Sequence, residues 1–407
     1  MKIIGQLKTN IYSLLIIQAV NIISPLVLIP LYIQHLSIEV YGLYALSLAL
    51  AAFAQIFIIY SFNFTANRDL AKNKFDSEHQ EIISSIRTTQ FVIFIGCLFI
   101  FTLIGSLFDK GITFTILVFL NILTFIHQLL FPQWLYHGLN NISTLKNISL
   151  GTKIILTVLS IFIIPAFKRV ELIPVVICLS SISSYFFLRF FKIIKPKFRF
   201  YLKIITRKDL VKILKDGYSL FISQVISQVY IYTPKIILGI FLPLDIIAVY
   251  DVSEKVLKIA KMPQYIINQG LFPLFAKKYN QIIKKRFELG SLFLSILMVL
   301  TLVIISDQIF LFFLGNRQID YSFFFVMSIS LIFIYMSSYN GPLGLVILKK
   351  DALWTKSTFF GLTIYITLTI VMILVNRITL FNFAVIIVLS ELSVFLASRR
   401  FLNRCDV

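Results

Sequence analysis

The chain has 407 residues, of which 58% are hydrophobic and 14% charged, and its mean hydropathy is +0.91. A typical soluble domain carries about 25% charged and roughly 45–50% apolar residues. A chain this apolar lacks the polar surface that a soluble fold requires. Composition therefore excludes a soluble enzyme, a disordered chain and a collagen-like repeat, and it indicates a polytopic membrane protein.

Continuous apolar runs follow one another along the whole chain. A bilayer core about 30 Å thick requires roughly 20 apolar residues per helix. The first run is longer than the apolar region of a signal peptide, which favours a transmembrane helix over a cleaved leader. We expect an all-α protein with about twelve spans, near residues 10–33, 40–62, 83–108, 112–136, 149–165, 172–191, 217–242, 247–270, 288–314, 321–347, 357–375 and 380–398.

The basic balance of the chain, a net charge of +20 at pH 7, comes from clusters of Lys and Arg between the apolar runs. With the N-terminus inside, 29 of the 38 basic residues fall on the cytoplasmic side and five on the outer side. This asymmetry is typical of loops that stay in the cytoplasm. We therefore expect both termini in the cytoplasm and no nucleic-acid partner.

The most basic connection divides the predicted spans six and six. We expect an N-terminal six-helix bundle at 1–195, a basic cytoplasmic linker at 196–216 and a C-terminal six-helix bundle at 217–407 with a short cytoplasmic tail. The linker is predicted to lie in solvent against anionic membrane lipids. Residues 218–224 (Y-S-L-F-I-S-Q) and 12–18 (Y-S-L-L-I-I-Q) form a weak repeat, and repeated bundles with a substrate site between them are common in transporters.

Charged residues inside the predicted spans are costly, about 2.5–3.5 kcal/mol each at the bilayer centre on insertion scales. The eighth span is the most charged, and its spacing allows i,i+4 pairing of Asp251 with Lys255 and of Glu254 with Lys258. Its net positive charge favours a helix that lines a hydrated cationic cavity over an interfacial helix. The candidate cations for substrate binding are Lys235, Lys255, Lys258, Lys261 and Arg68.

The prolines of the seventh and first spans suggest where polar groups line this cavity. Pro25, Pro30 and Pro234 are predicted to kink their helices, and broken helices commonly line transport pathways. The candidate polar lining residues on these two spans are Gln18, Asn21, Gln224, Gln228, Tyr230 and Tyr232.

Catalytic and cofactor signatures do not occur in the sequence. The four histidines and three cysteines lack metal-ligand spacing, and no nucleotide-binding motif is present. We expect a transporter without cofactor or metal. If an ion gradient drives transport, an acidic side chain within the membrane must bind the coupling ion. Glu391 is the first candidate, because Asp251 and Glu254 are expected to pair with lysines, and Asp307 is expected near the outer interface.

Four segments resemble the Wzx-type polysaccharide flippases of O-antigen and capsule synthesis, within the MATE-like multidrug, oligosaccharidyl-lipid and polysaccharide exporters. They are N-I-I-S-P-L-V-L-I-P-L-Y-I in the first span followed by Y-G-L-Y-A-L at 41–46, Y-S-F-N-F-T-A-N-R-D-L-A at 60–71, F-P-Q-W-L-Y-H-G-L at 131–139, and A-V-Y-D-V-S-E-K-V at 248–256. The sequence departs from the family pattern at His137 and Asn140, to which we assign no role.

The resemblance implies a V-shaped pair of bundles that moves a polyprenyl-pyrophosphate-linked oligosaccharide across the bacterial inner membrane by alternating access. It also implies a polymerase and a chain-length regulator as partners. Unaided crossing would desolvate two phosphates and many hydroxyls, which is prohibitive. The main alternative is a MATE-type cation or drug antiporter, whose cavity should be acidic or neutral. A polymerase would need large outer loops, an O-acyltransferase a reactive histidine, and a lipid II flippase typically fourteen spans.

Overall fold

The fold is all-helical, as the continuous apolar runs predict. A computed structural model describes residues 2–72, 76–139, 141–191, 202–203, 205–277, 279–315 and 321–405, and within these ranges it contains helices and turns without strands. In hydrocarbon each backbone N–H and C=O must be satisfied within the chain, and a helix achieves this locally. The contacts of the chain divide it into two compact units, Met1–Ile236 and Ile237–Val407.

The first unit is built around the pairs α1–α8, α8–α9 and α2–α5. Its helices are α1 (Lys2–Leu36), α2 (Ile38–Ile59), α3 (Phe62–Lys72), α4 (Asp76–Ser106), α5 (Gly111–Leu123), α6 (Ile126–Leu130), α7 (Gln133–Gly138), α8 (Ile142–Phe167), α9 (Leu172–Phe190) and most of α10 (Arg207–Phe241). Aromatic side chains fill its core, and Phe131, Trp134 and Tyr136 are almost completely buried.

The second unit is built around α14, which packs against α12 and α16. It comprises the end of α10, α11 (Leu244–Lys277), α12 (Gln281–Ile304), α13 (Ser306–Leu314), α14 (Ser322–Asn340), a π-helical segment (Gly341–Val346), α15 (Asp351–Leu374) and α16 (Leu380–Cys405). The boundary between the units lies inside α10, later in the chain than the bundle boundary expected at 216/217.

Ten helical stretches in the described ranges are long and apolar enough to cross a bilayer. They correspond to the predicted spans one to six and nine to twelve. Large apolar side chains on several of them are exposed, such as Phe99, Phe162 and Leu374, as expected for surfaces in contact with lipid. The protein is therefore a multi-pass membrane protein. The seventh and eighth spans stay predictions, because α10 and α11 are long but carry many charges.

The prolines that the sequence predicts to kink the first and seventh spans lie inside long helices. Pro25 and Pro30 lie inside the continuous α1, and Pro234 lies inside the continuous α10. The loss of one backbone hydrogen bond at each proline is tolerated because neighbouring helices and local adjustments stabilise the freed carbonyl group. One helix break instead lies at Tyr60, where φ is 49°. Tertiary contacts hold this residue: its ring stacks on Phe221 at 4.4 Å between centroids.

The connection before α10 is shorter than the predicted linker, because the helix already begins at Arg207. The chain is held there by Lys203, whose backbone N–H and C=O both bond to the hydroxyl of Thr88, at 3.0 and 2.9 Å. Its ammonium group also lies 3.0 Å from the Glu81 carboxylate. This part of the expected solvated linker is therefore docked on α4, whereas residues 192–201 lie outside the described ranges.

The helix that follows α14 has one wide turn. This wide turn is the π-helical segment Gly341–Val346. Shortly after it, the N–H of Lys350 donates to the carbonyl of Leu345, five residues earlier, at 2.8 Å. A Cβ at Gly344 would lie 2.8 Å from the backbone oxygen of Tyr339, so this close approach requires glycine.

Candidate functional site

The charged residues of α11 form the ion pairs that the sequence spacing predicts. The ammonium nitrogen of Lys255 lies 2.6 Å from Oδ2 of Asp251, and that of Lys258 lies 3.5 Å from Oε1 of Glu254. The two pairs differ in burial. The Asp251 side chain has no exposed surface and that of Lys255 is 19% exposed, whereas the Lys258 side chain is 51% exposed.

Burial changes what each lysine can do. A buried charge persists only when a partner compensates it, so the Lys255 charge is largely balanced by Asp251. Lys258 has a longer, partly exposed pair and keeps surface for another anion. The cationic capacity of α11 therefore rests more on Lys258 and Lys261 than on Lys255.

Helix α16 brings a further acid to this cluster. Lys261 is half-buried and interacts electrostatically with Glu391 of α16 as well as with Glu254 and Lys258. Glu391 is itself half-buried. The second unit thus gathers six predicted site residues, which we call the α11 cluster: Asp251, Glu254, Lys255, Lys258, Lys261 and Glu391.

The remaining predicted cations belong to the first unit. Lys235 is buried in α10, with 7% of its surface exposed. Arg68 is about half exposed near the end of α3, and its Nε donates to the carboxylate of the adjacent Asp69 at 3.0 Å. An exposed pair between sequence neighbours is a common surface contact, so the structure adds no support for Arg68 as a binding residue.

The predicted polar lining residues occupy α1 and α10. Gln18 is half-buried on α1, and Gln224 and Gln228 are half-buried on α10. Tyr232 packs edge-on against Phe53, with 5.9 Å between ring centroids. The side chain of Tyr230 lies outside the described part of the chain. Asn21 lines a cavity in the first unit, described next.

This cavity, which we call the inner cavity, has a volume of about 210 Å³ and lies among α1, α2, α8, α9 and the short helices between α5 and α8. Its polar lining was missed by sequence reasoning apart from Asn21. It consists of Asn21, Gln55, Thr124, His127, Gln128, Gln133, Ser149, Thr152, Lys153, Ser180 and Ser181.

Two basic residues that were counted on the cytoplasmic side, Arg87 and Lys153, lie inside long helices. Lys153 lies in α8, which begins at Ile142, earlier than the predicted start at 149. Arg87 lies in α4 with no exposed surface. The sequence did carry a signal for Lys153, because it falls within the predicted span 149–165 and its charge there required an explanation.

A second cavity, of about 370 Å³, lies where the docked linker meets α3, α4 and the start of α10. Its lining has mixed charge, with Asp69, Glu81 and Asp209 beside Lys203 and Lys212. Hydrogen bonds from Thr206 lower the pKa of the Asp209 carboxyl. These bonds cap the first turn of α10, which gives Asp209 a structural role.

Comparisons with known proteins agree with this fold. The model of a family described as polysaccharide biosynthesis protein matches residues 7–278. A candidate O-antigen transporter of Shigella dysenteriae is 21% identical over 279 residues, which covers 67% of this chain and 68% of that protein.

Solved structures share the fold at low identity. The lipid II flippase MurJ in an inward closed conformation has a TM-score of 0.69 and 13% identity, covering 96% of this chain and 87% of that chain. An inward-facing multidrug resistance MATE transporter of the MOP superfamily has a TM-score of 0.66 and 13% identity, covering 92% and 95%. The MATE-like fold is confirmed, as is the resemblance to Wzx-type flippases. The chain belongs to the polysaccharide biosynthesis protein family.

Proposed function

We propose that the protein flips a polyprenyl-pyrophosphate-linked oligosaccharide, an O-antigen or capsule repeat unit, from the inner to the outer face of the bacterial cytoplasmic membrane by alternating access. The α11 cluster carries this proposal. It places three lysines and two carboxylates on one helix of a membrane protein from a polysaccharide biosynthesis family. A polymerase and a chain-length regulator stay predicted partners.

The proposed roles follow from burial. Lys258 and Lys261 bind the pyrophosphate, because Lys258 is half exposed and Lys261 lies within electrostatic range of Lys258. Lys255 positions this part of the helix through its short bond to Asp251. Lys235 is a further candidate cation of the first unit. The amide and phenol groups of α1 and α10 contact sugar hydroxyls, and the prenyl tail stays in the lipid.

The alternative, a MATE-type cation or drug antiporter, has less support. Such a protein needs a negative or neutral cavity to accept an organic cation. Asp251 and Glu254 of the α11 cluster instead lie within ion-pair distance of lysines. An organic cation such as ethidium, tested in the same vesicles as the lipid-linked oligosaccharide, separates the two functions.

The decisive experiment reverses charge in the α11 cluster. Lys258→Glu and Lys261→Glu are each expected to lower flipping of a fluorescent lipid-linked oligosaccharide in proteoliposomes at least tenfold, because a carboxylate then replaces an ammonium group that faces the phosphates. Lys258→Arg should retain most of the activity, since charge is what matters. Lys285→Glu, at an exposed position of α12, is the matched control.

Full flipping by a folded Lys258→Glu, Lys261→Glu double variant would refute the proposed site. Ethidium transport without oligosaccharide flipping by the wild type would refute the function itself.

Glu391 is proposed to couple transport to an ion gradient, ahead of Asp251 and Glu254, which pair with lysines of their own helix. Under an imposed pH or sodium gradient, Glu391→Gln should lose the acceleration that the wild type shows. An unchanged gradient response would exclude Glu391 from coupling.

A further inference from the structure

The inner cavity is too small for an oligosaccharide and large enough for one sugar ring. Its volume is about 210 Å³. All of its lining residues belong to the first unit. The cavity is therefore distinct from the α11 cluster.

The hydroxyl groups of the lining are arranged to accept hydrogen bonds. Thr124, Thr152 and Ser180 each donate their hydroxyl hydrogen to a carbonyl of their own helix or turn, at 2.6, 2.8 and 2.8 Å. Because the hydrogen of each is used, the oxygen lone pairs remain for a ligand that donates. Sugar hydroxyls are such donors.

Two enclosed polar atoms at this cavity lack a hydrogen-bond partner among the described residues: Nδ1 of His127 and Oε1 of Gln128. An enclosed polar atom without a partner costs about 1–3 kcal/mol, and each unmatched atom indicates a missing donor or acceptor. Two apolar rings, Phe125 and Phe131, complete the lining and offer surfaces for the C–H faces of a sugar.

The charge of the cavity selects an anion. Lys153 lines it, no Asp or Glu does, and within the described ranges Lys153 has no ion-pair partner. A cation within a transmembrane bundle requires a negative charge or polar groups nearby that compensate it. A carboxylate on the bound sugar would supply it, while the acceptor groups hold the hydroxyls.

From these observations we infer that the inner cavity binds one carboxylate-bearing sugar residue, with Lys153 at the carboxylate and the polar groups of α6, α8 and α9 at the hydroxyls. This inference rests on the proposed function for its biological source, an acidic residue of the transported glycan. It identifies the substrate class as an anionic glycan.

Binding of free sugars to the purified, detergent-solubilised protein tests the inference without any transport. Glucuronate should raise the melting temperature at concentrations at least fivefold lower than glucose does. Lys153→Gln should remove this preference and leave the melting temperature of the ligand-free protein close to that of the wild type, and Lys153→Arg should keep it. Lys146→Gln, on the same helix but outside the cavity lining, is the matched control.

Three outcomes would overturn the inference: equal stabilisation by glucose and glucuronate, unchanged glucuronate preference in Lys153→Gln, or stabilisation by sulfate equal to that by glucuronate. The last would reveal a site for simple anions. If Lys153→Gln does not fold, the comparisons of glucuronate with glucose and with sulfate on the wild type still decide. Glucuronate binding that persists while flipping fails would refute the proposed function and leave this site intact.

Discussion

Asp251 and Lys255 show how a single pair of residues sets a constraint on the second unit. Their charged atoms lie 2.6 Å apart, and the carboxylate has no exposed surface. Such a pair contributes little net stability relative to an apolar pair of the same size, yet removal of one partner leaves a buried charge and costs about 3–5 kcal/mol.

We therefore predict that Asp251→Asn strongly destabilises the protein, by about 3–5 kcal/mol, seen as a large fall in the melting temperature in detergent. The control is Asp69→Asn, which removes the exposed partner of Arg68 and should cost less than about 1 kcal/mol. Similar melting temperatures for the two variants would show that the α11 pair is screened by water.

Residue roles differed in how far the sequence could predict them. The i,i+4 pairs of α11 follow from local spacing on one helix, so the sequence predicted Asp251 with Lys255 correctly. Lys153 and Arg87 were misplaced because their environment depends on where a helix begins and on which helices pack around it. Neither is encoded in the residues adjacent to them.

At the scale of helices, α15 and α16 are held together by a close approach at a glycine. A Cβ placed at Gly361 would overlap the side chain of Val394 and lie 3.2 Å from the backbone oxygen of Ser390. A backbone atom cannot turn away as a side chain can, so α15 must shift to admit even a methyl group.

Gly361→Ala is accordingly expected to lower stability by about 1–3 kcal/mol, the usual cost of overpacking. Val394→Ala in the same chain should recover part of this loss. Gly290→Ala, where a Cβ would meet nothing within 4 Å, should be neutral or stabilising by up to about 1 kcal/mol. Thermal unfolding of the three variants measures this, and equal effects at both glycines would contradict the close-packing argument.

The sequence predicted the membrane spans better than it predicted where helices begin and break, for a physical reason. Long apolar runs identify ten spans, because hydrocarbon forces such runs into helices. The break at Tyr60 was not visible, because it depends on a stacking partner, Phe221, that is distant in the sequence. The start of α10 at Arg207 was missed because a basic, polar stretch resembles a loop.

For the whole molecule, the number of membrane crossings depends on whether α10 and α11 cross the bilayer. If both cross, the chain has twelve spans and the two termini share a side. The distribution of Lys and Arg then places both termini in the cytoplasm.

Reporter fusions test this topology. Fusions after Phe108 and after Leu242, at the end of α10, should report the outer side, and a fusion after Lys197 should report the cytoplasm. A cytoplasmic signal after Leu242 would mean that α10 does not cross, and the twelve-span arrangement would be wrong.

The wide turn at Gly341–Val346 also affects how the chain tolerates a change in length. Deleting one residue from an α-helix turns everything behind it by about 100° and draws it back by about 1.5 Å. A deletion within α14 would thus rotate α15 and α16 together relative to the preceding part of α14, against which α16 packs. A π-turn holds one residue more than an α-turn, and the loss of that residue converts it into regular α-helix with the following helices still in phase. This short segment is therefore the place in the second unit where a one-residue deletion leaves α15 and α16 in register with α14.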